Sequence, residues 1–140
     1  MKKSDRLKAR VADEGKNIKV ADSVNIPKFD YPIFCFKHLS KTHGLDRCTN
    51  AEKAAFIERL SKLSGMTWNQ IQFAPKHGLG SEKITVESIK PGLPDFLSSD
   101  VGFLFAYRFD GKKPFVAHKS GTILHVLYID NKLDVYSHGS

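Results

Sequence analysis

Apolar residues recur at helical spacing in the stretch that follows residue 49. Thr49 and Glu52 have the spacing of a capping box, in which a hydroxyl group and a carboxylate each bind a backbone amide of the first turn. One apolar stripe follows this box and consists of Ala55, Phe56, Ile57, Leu60 and Leu63. Gly65 comes next and predicts a left-handed cap, which glycine adopts at little cost. The pattern predicts an amphipathic helix that ends at Gly65.

Two shorter elements flank this helix. A second box, at Thr67 and Gln70, predicts a short helix that continues to Phe73 and is stopped by Pro75. Residues 33–39, ahead of the long helix, are rich in bulky side chains and predict a first strand.

From residue 101 onward the apolar positions recur with a period of two. One face of this segment is apolar and largely aromatic, so we expect a strand packed mainly on that side: Val101, Phe103, Phe105, Tyr107 and Phe109. Turn signals at 110–111, 120–121 and 130–131 predict further strands at 114–119, 122–129 and 133–136. Strands joined by such short turns pair antiparallel. The sequence therefore predicts an α+β fold: a strand, two helices, then a four-stranded antiparallel meander with the helices packed on one face.

The first 28 residues differ in composition from the rest of the chain. They hold eight of the 22 Lys and Arg residues and four of the 15 Asp and Glu residues. This segment therefore carries more than half of the chain's net charge of +7. Few apolar residues interrupt them, so we expect a flexible basic leader at 1–28, helical at most near residues 4–11, ahead of a single α+β domain at 29–140. Positive charge favours RNA, DNA or an acidic protein as partner, although a basic leader also serves solubility alone.

The apolar runs are too short for a membrane segment. None approaches the roughly 20 residues that span a bilayer, and no hydrophobic signal core follows Met1. We expect a cytoplasmic protein with no membrane partner and with free thiols at Cys35 and Cys48.

Four side chains suited to zinc lie close together in the sequence: Cys35, His38, His43 and Cys48. Cys35 and His38 would point to opposite faces of the predicted first strand, so they would not share one ion. We therefore predict no metal and no other cofactor.

Residues 76–83 form a polar, glycine-rich loop. Its glycines would allow backbone amides to turn onto an anion, with Lys76 and Lys83 as phosphate contacts and His77 as a general acid or base. The loop has neither a Walker pattern nor a dinucleotide-binding fingerprint. The alternative is a plain connection after a helix that proline ends.

Basic and imidazole side chains gather on the predicted meander: Arg108, Lys112, Lys113, His118, Lys119 and His125. We expect Arg108 and Lys119 to face an open sheet surface together with Tyr136 and His138. Such a set can bind a phosphodiester and transfer protons during its cleavage. Lys112 and Lys113 would add nucleic-acid contacts, or would be ordinary solvated residues of a turn.

Four short motifs in this region resemble the basic meander of the RelE/ParE-like toxin superfamily: Tyr107-Arg108-Phe109, Lys119-Ser120-Gly121-Thr122, Leu127-Tyr128-Ile129-Asp130 and Tyr136-Ser137-His138-Gly139. The resemblance covers about residues 33–139. It implies an endoribonuclease that cleaves messenger RNA on the ribosome and is neutralised by an antitoxin protein. It also implies that Arg108 and Lys119 stabilise the phosphate and that Tyr136 or His138 acts as acid or base. The chain departs from the superfamily in having His118 and Lys119 where a second arginine is usual.

Two functions follow from these observations. The first is a basic RNA-interacting protein, the toxin of a toxin–antitoxin pair. The second is a non-enzymatic protein-interaction module of a phage or mobile element, because the chain is also similar to small proteins carried on bacterial mobile elements.

Overall fold

Five strands form one sheet in the order β1-β5-β4-β3-β2 in the computed structural model, which describes residues 29–138. The strands are β1 (Ile33–Cys35), β2 (Ser81–Thr85), β3 (Phe103–Asp110), β4 (Lys113–Ser120) and β5 (Ile123–Ile129). Two α-helices, α1 (Asn50–Ser64) and α2 (Trp68–Phe73), lie between β1 and β2, and 3₁₀ turns occupy Leu45–Arg47 and Val86–Ser88. The predicted leader at 1–28 and its short helix lie outside the described residues.

Both predicted helices form, and both capping boxes are present. The Glu52 amide donates to Thr49 Oγ1 at 3.1 Å and the Thr49 amide donates to Glu52 Oε1 at 2.9 Å. Thr67 and Gln70 exchange the same pair of bonds at the start of α2. The left-handed cap predicted at Gly65 is wrong: its φ is −89°, and its amide closes the last turn by donating to the Lys62 carbonyl.

The sheet confirms the α+β prediction with a different set of strands. β3, β4 and β5 form an antiparallel meander, β1 pairs parallel with β5, and β2 pairs antiparallel with β3. The strand predicted at 133–136 does not form, because that segment folds across the sheet instead of pairing at its edge. β2 occupies residues 81–85, partly within the predicted 76–83 loop.

The sheet is buried on both faces. The helix-facing core packs Phe56, Leu60 and Leu63 of α1 against β3 and β4, with the Phe56 ring edge-on to those of Phe109 and Phe115 at 5.7 and 5.4 Å. A second core on the opposite face contains Leu104 and Ala106 of β3 and is covered by residues 86–101 and by the chain after β5. The prediction that β3 packs mainly on one side is therefore wrong, because Leu104 is fully buried and Phe103 is 49% exposed.

The described part of the chain contains no helix long and apolar enough to cross a membrane.

Candidate functional site

A cavity of about 330 Å³ opens on the sheet face away from the helices. We call it the Arg108 cavity. The register of the sheet sets its floor, because Glu82 of β2 lies beside Ala106 of β3 and Arg108 lies beside Pro114 of β4. Its lining comes from four parts of the chain: Lys76, Glu82, Ala106, Arg108, Lys112, Pro114, Leu133, Tyr136, Ser137 and His138. Five residues predicted as site residues from the sequence, Lys76, Arg108, Lys112, Tyr136 and His138, thus lie around one cavity.

Positive charge predominates in this lining. In the part of the chain that the structure describes, Lys76, Arg108 and Lys112 supply three cationic groups to the lining and Glu82 supplies one carboxylate. Lys76 Nζ lies 3.8 Å from Glu82 Oε2, with both side chains about half exposed, so this pair is weak and easily exchanged for a ligand. Within residues 29–138 the Arg108 guanidinium forms no salt bridge. The cavity is therefore suited to an anion.

Arg59 of α1 holds the two walls of the cavity in place. Its Nη1 atom donates to the carbonyl of Gly78 at 2.7 Å and to the carbonyl of Arg108 at 2.8 Å. One guanidinium thus joins the loop that carries Lys76 to the strand that carries Arg108.

A buried carboxylate positions the histidine of the cavity. Asp130 is fully buried, and its Oδ1 accepts hydrogen bonds from the amides of Asp134 at 2.7 Å and Val135 at 3.1 Å. Its Oδ2 lies 2.7 Å from His138 Nε2. The Tyr136 ring lies 4.0 Å from that of His138, centroid to centroid. Asp130 therefore stabilises the fold of the segment after β5 and holds the Nε2 edge of the imidazole.

Contacts from a distant part of the chain hold the same segment. Arg47 binds Asp134 through two nitrogens, at 2.7 and 3.0 Å, and this interaction lowers the pKa of the Asp134 carboxyl to about 2. The Asn131 amide donates to the Arg47 carbonyl at 2.9 Å and to Glu52 Oε1 at 3.0 Å. These long-range bonds replace the strand pairing that the sequence pattern predicts here.

Tyr136 is a hydrogen-bond donor in this setting. Burial raises the pKa of its phenol, the negative charges of Glu82 and Asp130 raise it further, and the nearby Arg108 opposes them. The phenol therefore keeps its proton at neutral pH.

The structure does not bring Lys119 to this cavity. Lys119 lies on the helix-facing side of β4, where its Nζ is 4.6 Å from the centre of the Trp68 ring. Arg108 pairs with Pro114, and Lys119 is an odd number of residues further along the same strand, so the two cations occupy opposite faces. The predicted pairing of Arg108 with Lys119 on one phosphate is wrong for this reason.

Three other predicted contacts also lie elsewhere. Lys113 Nζ donates to Glu52 Oε2 at 2.7 Å at a partly exposed position, and this bond is the main cause that lowers the Glu52 pKa to about 2. Lys83 lines a second cavity on the helix-facing side, with its Nζ 4.8 Å from the Phe103 ring. His77 is exposed and lines neither cavity.

The remaining imidazoles of the meander form a separate cluster. His118 and His125 stack with 6.1 Å between ring centroids, and Phe96 lies 4.7 Å from His125 and 4.0 Å from His38. Burial lowers the pKa of both His118 and His125.

The residues considered as zinc ligands do not converge. Cys48 is buried, Cys35 is half-buried on β1, and both are free thiols. His43 Nδ1 bonds the Thr42 hydroxyl at 2.9 Å, and His38 stacks on Phe96. Among residues 29–138, no three His, Cys, Asp or Glu side chains are arranged to hold a metal ion.

Sequence reasoning missed Asp130 and Glu82. In the sequence, Asp130 belongs to a predicted turn, where aspartate is common. Only its burial in the structure distinguishes it from other turn residues. Glu82 falls in the predicted loop. Strand β2 contains a single buried apolar residue, Ile84, so its sequence shows no alternation of apolar and polar residues that would predict a strand.

Comparison of the chain with protein-family models, with curated proteins and with solved structures finds no match. The resemblance to RelE/ParE-like toxins therefore rests on the four quoted motifs.

Proposed function

We propose that this protein binds RNA and cleaves it, with one phosphate of the RNA held in the Arg108 cavity. A single observation carries the proposal: a guanidinium and two ammonium groups line the same cavity as an imidazole that a buried carboxylate orients. Cationic groups position the phosphate, and the imidazole supplies proton transfer beside it.

The hydrogen-bond donors that line the Arg108 cavity support phosphate binding. Arg108 offers a planar set of N–H donors that matches two phosphate oxygens, and Lys76 and Lys112 add point charges. The Tyr136 hydroxyl adds a neutral donor. The weak contact between Lys76 and Glu82 costs little to break, so Lys76 is available to the ligand.

Proton transfer is supported by the orientation of His138. Asp130 Oδ1 accepts from two backbone amides, and an ionised carboxylate only accepts hydrogen bonds, so His138 donates its Nε2–H to Oδ2. Nδ1 is then the ring nitrogen that takes up a proton. This is the arrangement of a general base with a positioning carboxylate.

The reaction that fits these groups is an internal transesterification of RNA. His138 Nδ1 takes the proton of a ribose 2′-hydroxyl as that oxygen bonds to phosphorus, and Arg108 stabilises the charge that develops on the phosphoryl oxygens. The bond from phosphorus to the 5′ oxygen breaks, and the leaving oxygen takes a proton from the Lys76 ammonium. The products are a 2′,3′-cyclic phosphate and a 5′-hydroxyl, and solvent restores both side chains.

Cleavage of an oligoribonucleotide tests this reaction, with the DNA oligonucleotide of the same sequence as control. We expect cyclic-phosphate products from RNA and none from DNA. His138→Gln keeps a donor toward Asp130 but lacks the base, so its cleavage rate should fall at least about 100-fold while RNA binding persists. Absence of cleavage by the unaltered protein, or equal rates for His138→Gln, would overturn the catalytic proposal.

The toxin assignment is the finer form of the proposal and rests on the resemblance to the RelE/ParE-like superfamily. It implies that the ribosome presents the RNA and that an antitoxin protein neutralises the activity. Induction of the protein in a bacterium should arrest growth, Arg108→Ala should relieve the arrest, and Lys53→Ala should not. Lys53 is an exposed cation of α1 that lines neither cavity. Normal growth during induction of the unaltered protein would remove the toxin assignment.

A non-enzymatic interaction module is the second candidate, and the apolar surface of the helices favours it. Phe73 of α2 is 80% exposed and Ile57 of α1 is 58% exposed, the two highest values among the large apolar side chains of residues 29–138. The product of a neighbouring gene is the partner to test, by calorimetry with Phe73→Ser as the matched variant. Unchanged affinity for Phe73→Ser would remove this surface from consideration.

A further inference from the structure

A second cavity, of about 410 Å³, lies on the helix-facing side of the sheet between α2 and strands β2 to β4. We call it the Trp68 cavity. Its lining combines aromatic rings with cations and small polar groups: Trp68, Ile71, Gln72, Ser81, Lys83, Phe105, Tyr107 and Lys119. Among the described residues, Lys83 and Lys119 are the only charged ones that line it.

We infer that the Trp68 cavity binds a base of the single-stranded RNA whose phosphate occupies the Arg108 cavity. The inference rests on the proposed function for the identity of the ligand. Its own support comes from the chemistry of the Trp68 cavity and from its position on β2.

The lining suits an aromatic ligand that carries negative charge. Trp68 and Phe105, both partly exposed, provide apolar ring surface of the kind on which bases stack, and each stacked base contributes about 1–3 kcal/mol in single-strand binding. Lys119, over the Trp68 ring, can exchange that contact for a phosphate oxygen. Within residues 29–138, no carboxylate lines the cavity to repel a phosphate.

Polar groups in the lining can bond the edge of a base. Ser81 and Gln72 supply a hydroxyl and an amide. Burial raises the pKa of the Tyr107 phenol to about 12, so the phenol stays protonated at neutral pH. The Trp68 Nε1 atom is buried and has no hydrogen-bond partner among the described residues, so no hydrogen bond from Nε1 fixes the indole.

Strand β2 connects the two cavities. It is an edge strand, and its side chains alternate between them: Ser81 and Lys83 line the Trp68 cavity and Glu82 lines the Arg108 cavity. The register continues this division into β3, where Phe105 and Tyr107 face one cavity and Arg108 faces the other. A single strand of RNA that crosses the outer edge of β2 would meet both.

The fluorescence of Trp68 tests the inference in the full chain, because Trp68 is the only tryptophan. Hexa-adenylate RNA with 2′-O-methyl riboses, which the proposed reaction cannot cleave, is the probe, and ribose 5-phosphate, which has charge but no base, is the control. We expect saturable quenching by the RNA and none by ribose 5-phosphate. Lys119→Ala and Lys83→Ala should each weaken the quenching constant about three- to tenfold, and Lys53→Ala should leave it unchanged.

A parallel measurement with the same hexa-adenylate, fluorescently labelled, separates this inference from the proposed function. Binding detected by anisotropy without any change at Trp68, or with equal quenching in Lys119→Ala, would overturn the base site and leave the Arg108 cavity standing. If Trp68 quenching persists in Arg108→Ala while the affinity measured by anisotropy falls in that variant, the result would support two separate sites on one strand. No binding by either readout would overturn both.

Discussion

Lys113 at the start of β4 donates to Glu52 in the first turn of α1, with 2.7 Å between Nζ and Oε2. The same carboxylate accepts from the amide of Thr49 and from the side chain of Asn131. Glu52 is buried, so one carboxylate joins the helix to the meander and to the segment that carries His138. The cation that sequence analysis assigned to nucleic acid therefore stabilises the fold.

Replacing Glu52 by glutamine should destabilise the protein. Glutamine preserves the shape but removes the charge that balances Lys113, so we expect the free energy of unfolding to fall by about 2 kcal/mol. Urea titration followed by circular dichroism measures this change. Glu58→Gln, an exposed position of the same helix, is the matched control and should change the value by less than about 0.5 kcal/mol. Equal effects at both positions would contradict the structural role of Glu52.

Acid should destabilise the protein between about pH 4.5 and pH 2. The pKa values of Glu52 and Asp134 are both lowered to about 2 from ordinary values of 4.5 and 3.8. A carboxyl whose pKa is lower in the folded state contributes stability above its unfolded pKa and loses it as the pH falls through the folded one. Urea midpoints measured across this range should decline, and less steeply in Glu52→Gln. A flat profile would be incompatible with the two ion pairs.

As the pH is lowered from neutral, a separate loss of stability should begin before the one described above. Burial lowers the pKa values of His118 and His125 from 6.5, and the charges of His118 and His38 lower that of His125 further. As the pH falls, His118 and His125 are protonated in the unfolded chain before they are protonated in the folded protein. The free energy of unfolding should therefore decrease as the pH falls below about 6.5. His125→Gln should remove part of this dependence. Identical urea midpoints at pH 7 and pH 5 would refute the prediction.

Gly80 should not tolerate a side chain, whereas Gly78 should. A Cβ atom at Gly80 would overlap the Ala74 carbonyl and lie 2.9 Å from the carbonyl carbon of Pro75, both rigid backbone. A Cβ at Gly78 would meet only the Pro75 oxygen, at 3.6 Å. Gly80→Ala should therefore cost at least about 2 kcal/mol in unfolding free energy and Gly78→Ala less than about 1 kcal/mol. Thermal denaturation of the two variants checks this, and comparable losses would show that the loop adapts.

Local signals in the sequence were sufficient to predict both helices and the three strands of the meander. Thr49 and Glu52 act within one turn, and the alternation from Phe103 to Phe109 needs no distant partner. Edge strand β2 was missed because most of its side chains are exposed, which gives its sequence the character of a loop. The strand expected at 133–136 was wrong because bonds from Arg47, more than eighty residues earlier, hold that segment.

The candidate site could be predicted only in part, because long-range contacts also determine its geometry. Arg108, Tyr136 and His138 do lie together. Lys119 was misplaced because the side on which it lies depends on its register relative to Pro114, the partner of Arg108. Asp130 could not be singled out, since the contact with His138 exists only once the segment after β5 has folded back.

The salt dependence of RNA binding tests the central claim most directly. The affinity of the full chain for a labelled 2′-O-methyl oligoribonucleotide, which the proposed reaction cannot cleave, should fall steeply with salt. Arg108→Ala should lower both the affinity and the slope of log K against log salt concentration, the slope by about 0.7 for one lost phosphate contact. Lys53→Ala should leave affinity and slope close to those of the unaltered protein. No binding at low salt, or an Arg108→Ala slope equal to that of the unaltered protein, would contradict a phosphate site in the Arg108 cavity.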